Sequence, residues 1–198
     1  MDPLVALRRC VKPTPAVELW WWPEARTVIA DMIAGLCIKF KYRRETAFRA
    51  LQLFERISSL HQGARMNQEV IFVDAAVAFM ISHKFEETSY IGVSDLALHM
   101  TVGEEELRIA EKLVLVELGW AVYSPTCHQF ADVMLEPGPL RTKAVALLDK
   151  FALEALLPAE EMAQAAVQVA RGEHGKHTDV LQRLMMPHTG PRKRARVS

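Results

Sequence analysis

The chain of 198 residues is poor in the features that announce catalysis or metal binding. It has three cysteines, Cys10, Cys37 and Cys127, and no CxxC pair. That excludes a disulfide framework and a zinc site of the usual spacing, and it fits a reducing compartment with thiols as core or incidental residues. Nine glycines lie scattered, with no phosphate-cradling loop and no nucleophile elbow. His61, His83, His99 and His128 share no ligand spacing, so no catalytic residue, cofactor or metal is expected and an enzyme is the class supported least. No apolar run reaches the roughly 18 residues of a membrane span. An N-terminus reading "MDPLVALRRCVKPTP" does not look like a secretory signal. Charge of one sign is lacking too: 24 Lys and Arg balance 24 Asp and Glu. A protein built to grip duplex DNA shows a basic field, so direct nucleic-acid binding is disfavoured.

What is present is helix-forming sequence. Apolar residues make up 51% of the chain, enough for a real core. Val28, Ile29, Met32, Ile33, Leu36, Cys37 and Phe40 recur at helical spacing, and so do Ala47, Ala50, Leu51, Phe54 and Ile57. Between and into these helices runs a basic series, Lys39, Lys41, Arg43, Arg44 and Arg49, whose plainest reading is a solvated helix end and loop. The segment "VIFVDAAVAFMIS" is apolar nearly all round, interrupted by Asp74. A helix apolar on every side belongs at the centre of a bundle. Ser94 is placed to cap "DLALHM", and Thr101 with Glu104 reads as a capping box for a helix ending at Gly119. That helix is expected to turn Leu107, Ala110, Leu113, Val114 and Leu118 inward. Thr126 with Gln129 forms a second capping box, opening a helix to about Leu135. "EPGP" then breaks the chain before shorter helices over about 140–156, 158–171 and 178–186.

No segment of strand period appears, so the fold expected is all-α. Five helices surround a buried third one, and a smaller, incomplete helical region follows. The expected division is an N-terminal extension (1–24), a main domain (25–135), a short C-terminal helical region (136–186) and a disordered basic tail (187–198). In the extension, Trp20–Trp22 cannot all face one side. They serve either as a staple on the domain or as anchors for a partner.

"AFMISHKFEE" (Ala78–Glu87) poses a problem of its own. An apolar helix ends on Lys84, and a half-buried ammonium needs a carboxylate partner. Together with "RTVIADMIAGLCIKFKYRRETAFRALQLFERISS" and "IAEKLVLVELGWAVYSPTCHQF", this segment resembles the cyclin box over about Arg26–Leu135. The resemblance implies that Lys84 and Glu111 pair at a kinase-binding face, with Phe85, Glu86 and Glu87 beside them. A surface ion pair with no partner is the alternative and contributes only about 0–1 kcal/mol. It also implies that Arg26 and Glu55 bridge the first two helices. The family's substrate-docking groove maps to Val28, Ile29, Met32 and Phe72. Met32 and Phe72 stand where the family has a tryptophan and a glutamine, which puts Arg-x-Leu recruitment in doubt. Too few residues follow Leu135 for a full second box, as in short, divergent or viral cyclins.

The function so implied is a regulatory subunit that binds and activates a cyclin-dependent protein kinase, in cell-cycle or transcription control. A scaffold like transcription factor IIB, and a decoy that docks without activating, are the alternatives. The region 26–135 carries 11 Lys and Arg against 14 Asp and Glu, which argues against a DNA-bound scaffold. Arg192, Lys193, Arg194 and Arg196 in the tail read as a nuclear address for an import receptor. The location expected is nuclear, with the cytoplasm also open to it.

Overall fold

A computed structural model describes residues 2–11, 22–61, 68–89, 91–151, 157–175 and 177–185. Among them are ten helices and no strand. In chain order these are α1 (Pro3–Cys10), α2 (Trp22–Phe40), α3 (Arg44–Leu60), α4 (Gln68–Glu86), α5 (Val93–Met100), α6 (Glu104–Glu117), α7 (Cys127–Met134), α8 (Pro139–Phe151), α9 (Ala159–Arg171) and α10 (Thr178–Met185).

The first core is built on α4. Ala75 through Met80 are all at most 1% exposed, because α2, α3, α5 and α6 cover this helix on different sides. Its run of alanines lets α3 approach closely, and α3 with α4 forms the most extensive helix pair. Trp22 begins α2 and stacks on Phe54 of α3, with ring centroids 5.3 Å apart. One tryptophan of the three is therefore a core staple; Trp20 and Trp21 lie outside the described residues.

Asp74 interrupts this apolar helix and is 2% exposed. Its carboxylate accepts from His61 Nδ1 at 2.9 Å, while His61 Nε2 lies 3.1 Å from Glu117. Burial pushes the Asp74 carboxyl up to about 6, against the opposing pull of His61 and Ser58. Burial by itself would lower His61; Asp74 and Glu117 outweigh it, and its net shift is upward. One imidazole thus ties the end of α3 to α4 and α6.

Two caps differ from the sequence reading. Gly92, not Ser94, is the N-cap of α5. Thr101 adopts left-handed φ 55° and closes α5, so it is not free to cap α6, whose N-cap is Gly103. A spacing of Thr and Glu says nothing about φ, and here the preceding helix end claims the threonine. Helix α6 also differs in its faces. Leu107 and Val114 are buried, but Leu113 is 59% exposed and lines an outward apolar stripe with Ile109 and Val116. A run alternating leucine and valine is apolar on two faces, and periodicity alone cannot choose between them.

Beyond α6, Gly119 and Trp120 both have left-handed φ, 57° and 60°, which turns the chain out of the helix. The segment to Pro125 is a connector, and the capping box of Thr126 and Gln129 opens α7. Helix α7 does not belong to the first core. Phe130, Ala131 and Leu135 pack with Ala144, Leu148, Met162 and Leu181 in a second cluster built from α7 to α10. The boundary expected at Leu135 therefore falls inside this cluster. Helix α1, within the stretch read as an extension, joins the same cluster. Asp2 caps it by accepting from the Leu4 amide at 2.8 Å. Leu4 and Leu7 pack on the second core, and Arg8 reaches Glu160 at 2.5 Å.

The two cores meet largely through polar groups. Arg49, Gln52 and Arg56 of α3 donate to the carbonyls of Ser124, Pro125 and Ala121 at 3.0, 3.1 and 2.8 Å. His128 Nε2 lies 3.0 Å from Asp149, and its ring packs on Phe48 at 4.5 Å.

Candidate functional site: the corner at the end of helix α4

The last turn of α4 brings the sequence-singled residues 84–87 to the surface beside α6 and the connector. Lys84 Nζ donates to Glu111 Oε1 at 2.6 Å, and the side chains are 36% and 18% exposed. The ammonium has three donors, so one carboxylate oxygen leaves capacity for further acceptors. Beside it Phe85 is 52% exposed. One residue earlier, His83 is buried, and burial lowers its pKa to about 4. It is therefore neutral at physiological pH, and its Nδ1–H donates to the Phe79 carbonyl at 3.1 Å.

Glu86 and Glu87 turn the other way. The Glu86 carboxylate accepts from Arg49 Nε and lies 3.6 Å from Arg43. Glu87 accepts from the Arg43 amide at 2.9 Å and from the Thr46 hydroxyl. Their side chains are 14% and 12% exposed. Both glutamates hold the end of α4 against the start of α3, and in this arrangement neither presents its carboxylate outward. The basic series read as solvated is thus partly internal: Arg49 is 4% exposed. The usable signal was a need for charge balance. Two acids ending an all-apolar helix require cations, and Arg43 and Arg49 were within chain reach.

The other singled-out residues separate. Arg26, buried on α2, donates through Nε to Glu55 of α3 at 2.5 Å. In the region read as a groove, Val28 is 57% exposed while Ile29 is 1% exposed and part of the core, so Ile29 offers no groove surface. Met32 and Phe72 are half-buried against the first core. The basic residues 192–196 lie outside the described residues. Burial pushes the Cys37 and Cys127 thiols up to about 12, which keeps them as packing groups. Among the described residues, no group of three or more His, Cys, Asp or Glu is arranged to hold a metal ion. Likewise, no described helix is long and apolar enough to cross a membrane.

The family model for the cyclin N-terminal domain matches residues 16–123, more than half of the chain. The chain belongs to the cyclin family. Two relatives from rice (Oryza sativa subsp. japonica) are similar to its cyclin box. Cyclin-B1-5 is 28% identical over 111 residues, covering 54% of this chain and 24% of the relative. Cyclin-B1-1 is 27% identical over 117 residues, covering 58% and 25%. The chain thus spans about a quarter of the length of these curated relatives. The matched stretch contains α2 to α6, the helices that surround and include the first core, and with them the Lys84–Glu111 corner. Helices α7 to α10 lie beyond it.

Proposed function

We propose that this cyclin-family chain is a regulatory subunit that docks on a cyclin-dependent protein kinase through the corner formed by Lys84, Glu111 and Phe85. The kinase supplies the phosphoryl-transfer chemistry, and the chain shifts its population toward the active conformer by binding that conformer better. The observation that carries the reading is the 2.6 Å Lys84–Glu111 pair beside a half-exposed phenylalanine. The pair keeps both charges oriented, and backbone groups of a docked partner complete their hydrogen bonding once water is excluded. Phe85 supplies the apolar contact that such an interface needs at its centre. Glu86 and Glu87 act from behind, as the clamp that fixes the corner on α3. Arg26–Glu55 is a structural bridge in this scheme rather than a kinase contact.

The rest of the scheme follows the same lines. The α7–α10 unit stands as a separate helical unit beside the cyclin box. The tail residues Arg192, Lys193, Arg194 and Arg196 act as a nuclear address read by an import receptor. Co-purification with a panel of purified cyclin-dependent protein kinases, followed by a phosphorylation assay on each captured kinase, tests the core of the reading. Capture with a rise in activity supports a subunit that activates. Capture without activity supports the decoy, and capture of no kinase overturns the docking assignment.

A further inference from the structure

Arg49 is a cation held almost wholly out of water, 4% exposed, at the back of the docking corner. Its guanidinium makes both hydrogen bonds and ring contacts. Along the edge, Nε donates to Glu86 and one terminal nitrogen donates to the Ser124 carbonyl at 3.0 Å. The guanidinium carbon lies over two rings, 5.1 Å from the Phe85 ring centroid and 4.8 Å from that of Tyr123. The two rings are themselves 6.2 Å apart and inclined at 44°. Three elements therefore meet on one side chain: the end of α4, the connector after α6, and α3, which carries Arg49.

Phe85 is the member of this group that faces out, at 52% exposed. An exposed phenylalanine with no neighbour samples several rotamers, and ordering it on binding lowers affinity. A cation over its face, with a second ring alongside, restricts that sampling beforehand. Glu86 neutralises the guanidinium so that it can remain buried, and the Ser124 carbonyl sets its plane. Lysine would supply the charge for Glu86, but it has neither the planar face nor the fixed fork of donors.

We propose that Arg49 is a positioning residue that presets the Phe85 ring for docking. The proposal rests on the docking role given to Phe85 above. It separates a contact that makes the corner from one that merely neutralises Glu86.

The test uses Arg49→Lys, which keeps the charge, with thermal melts to show that each variant is folded. In the free full chain, labelled with 4-fluorophenylalanine, the Phe85 fluorine signal is the one of eight lost in Phe85→Leu. Arg49→Lys is expected to shift and narrow that signal as the ring begins to average. An unchanged signal overturns the proposal. In parallel, affinity is measured for the panel kinase that the wild-type chain captures most tightly. Arg49→Lys is expected to weaken it about fivefold, the scale of one cation–π contact. In a Phe85→Ala background the same change is expected to have no further effect, because Arg49 acts through the ring. Additive losses overturn the positioning role while leaving the docking corner intact. If Phe85→Ala binds kinase as well as wild type, the docking role of Phe85 falls and takes the proposal with it, whatever the fluorine signal shows.

Discussion

Replacing Asp74 by Asn removes the one carboxylate buried inside α4 while keeping its shape and its acceptor for His61. Its effect on stability is expected to depend on pH, and the sign follows from the direction of the shift. In the unfolded chain Asp74 ionises near 3.8; in the fold, burial holds it up to about 6. The native state therefore keeps a proton that the unfolded state has released, and stability falls as pH rises between these values. About two pH units at roughly 1.4 kcal/mol each give a loss of about 3 kcal/mol between about pH 3.5 and pH 6.5. His61 acts in the same sense at higher pH. Its folded pKa is raised, so the stability it contributes is full below its unfolded value near 6.5 and is lost as pH climbs through the folded one. Titrating groups elsewhere in the chain are common to wild type and variant and cancel between them. The informative quantity is thus the difference between wild type and Asp74→Asn, read from urea denaturation at matched pH. That difference is expected to move in favour of the variant by about 3 kcal/mol across the window. A flat difference, or one that moves toward wild type, would show that His61 and Ser58 stabilise the carboxylate at least as much as burial opposes it.

Three further outcomes are expected. Lys84→Ala and Glu111→Ala should each leave the melting temperature within a few degrees, since a partly exposed pair contributes about 0–1 kcal/mol. Each should nevertheless weaken kinase capture by about 30-fold or more, the scale of truncating a desolvated charge pair at an interface; unaltered capture by both would sink the corner. An Arg-x-Leu docking peptide should fail to saturate below about a millimolar in calorimetry, because Phe72 leaves peptide backbone groups unpaired and Met32 offers only a flexible wall; a micromolar dissociation constant would show that the groove works through other residues. Fusing residues 187–198 to a cytoplasmic reporter should carry it into the nucleus, and a reporter that stays outside would show that the basic run is not a sufficient address.

The legible parts of the chain were those where one physical signal acts alone. The all-round apolar run over 70–82 placed α4 at the centre, and the reciprocal Thr126–Gln129 pattern placed the start of α7. Lys84 stood out because an ammonium at the end of an apolar helix calls for a partner, and Glu111 is within hydrogen-bond distance. Signals failed where two of them overlapped. Leu113 is on the outward face of α6 because that helix is apolar on two sides. Thr101 closes one helix instead of opening the next. Arg49 read as solvated because a basic series is usually surface. Its burial depends on Glu86, Phe85 and Tyr123 converging from 36 to 74 residues away, and no local pattern reports that. Helix α1 was hidden for the same reason: eight residues with two leucines form a helix only because the second core is there to receive them.

The seam between the two cores bears on how the molecule comes apart. Each core is apolar within itself, whereas the link between them is mostly α3 side chains holding connector carbonyls, with Phe48 against His128 as an aromatic contact. Urea solvates peptide carbonyls directly and competes for such links. Cooperativity is therefore expected to be strong inside each core and weak across the seam, so that the smaller α7–α10 cluster loosens before the α4-centred one. Melting followed at Trp22, inside the first core, would then lag behind melting followed by far-ultraviolet circular dichroism, and a single unfolding free energy would describe neither unit.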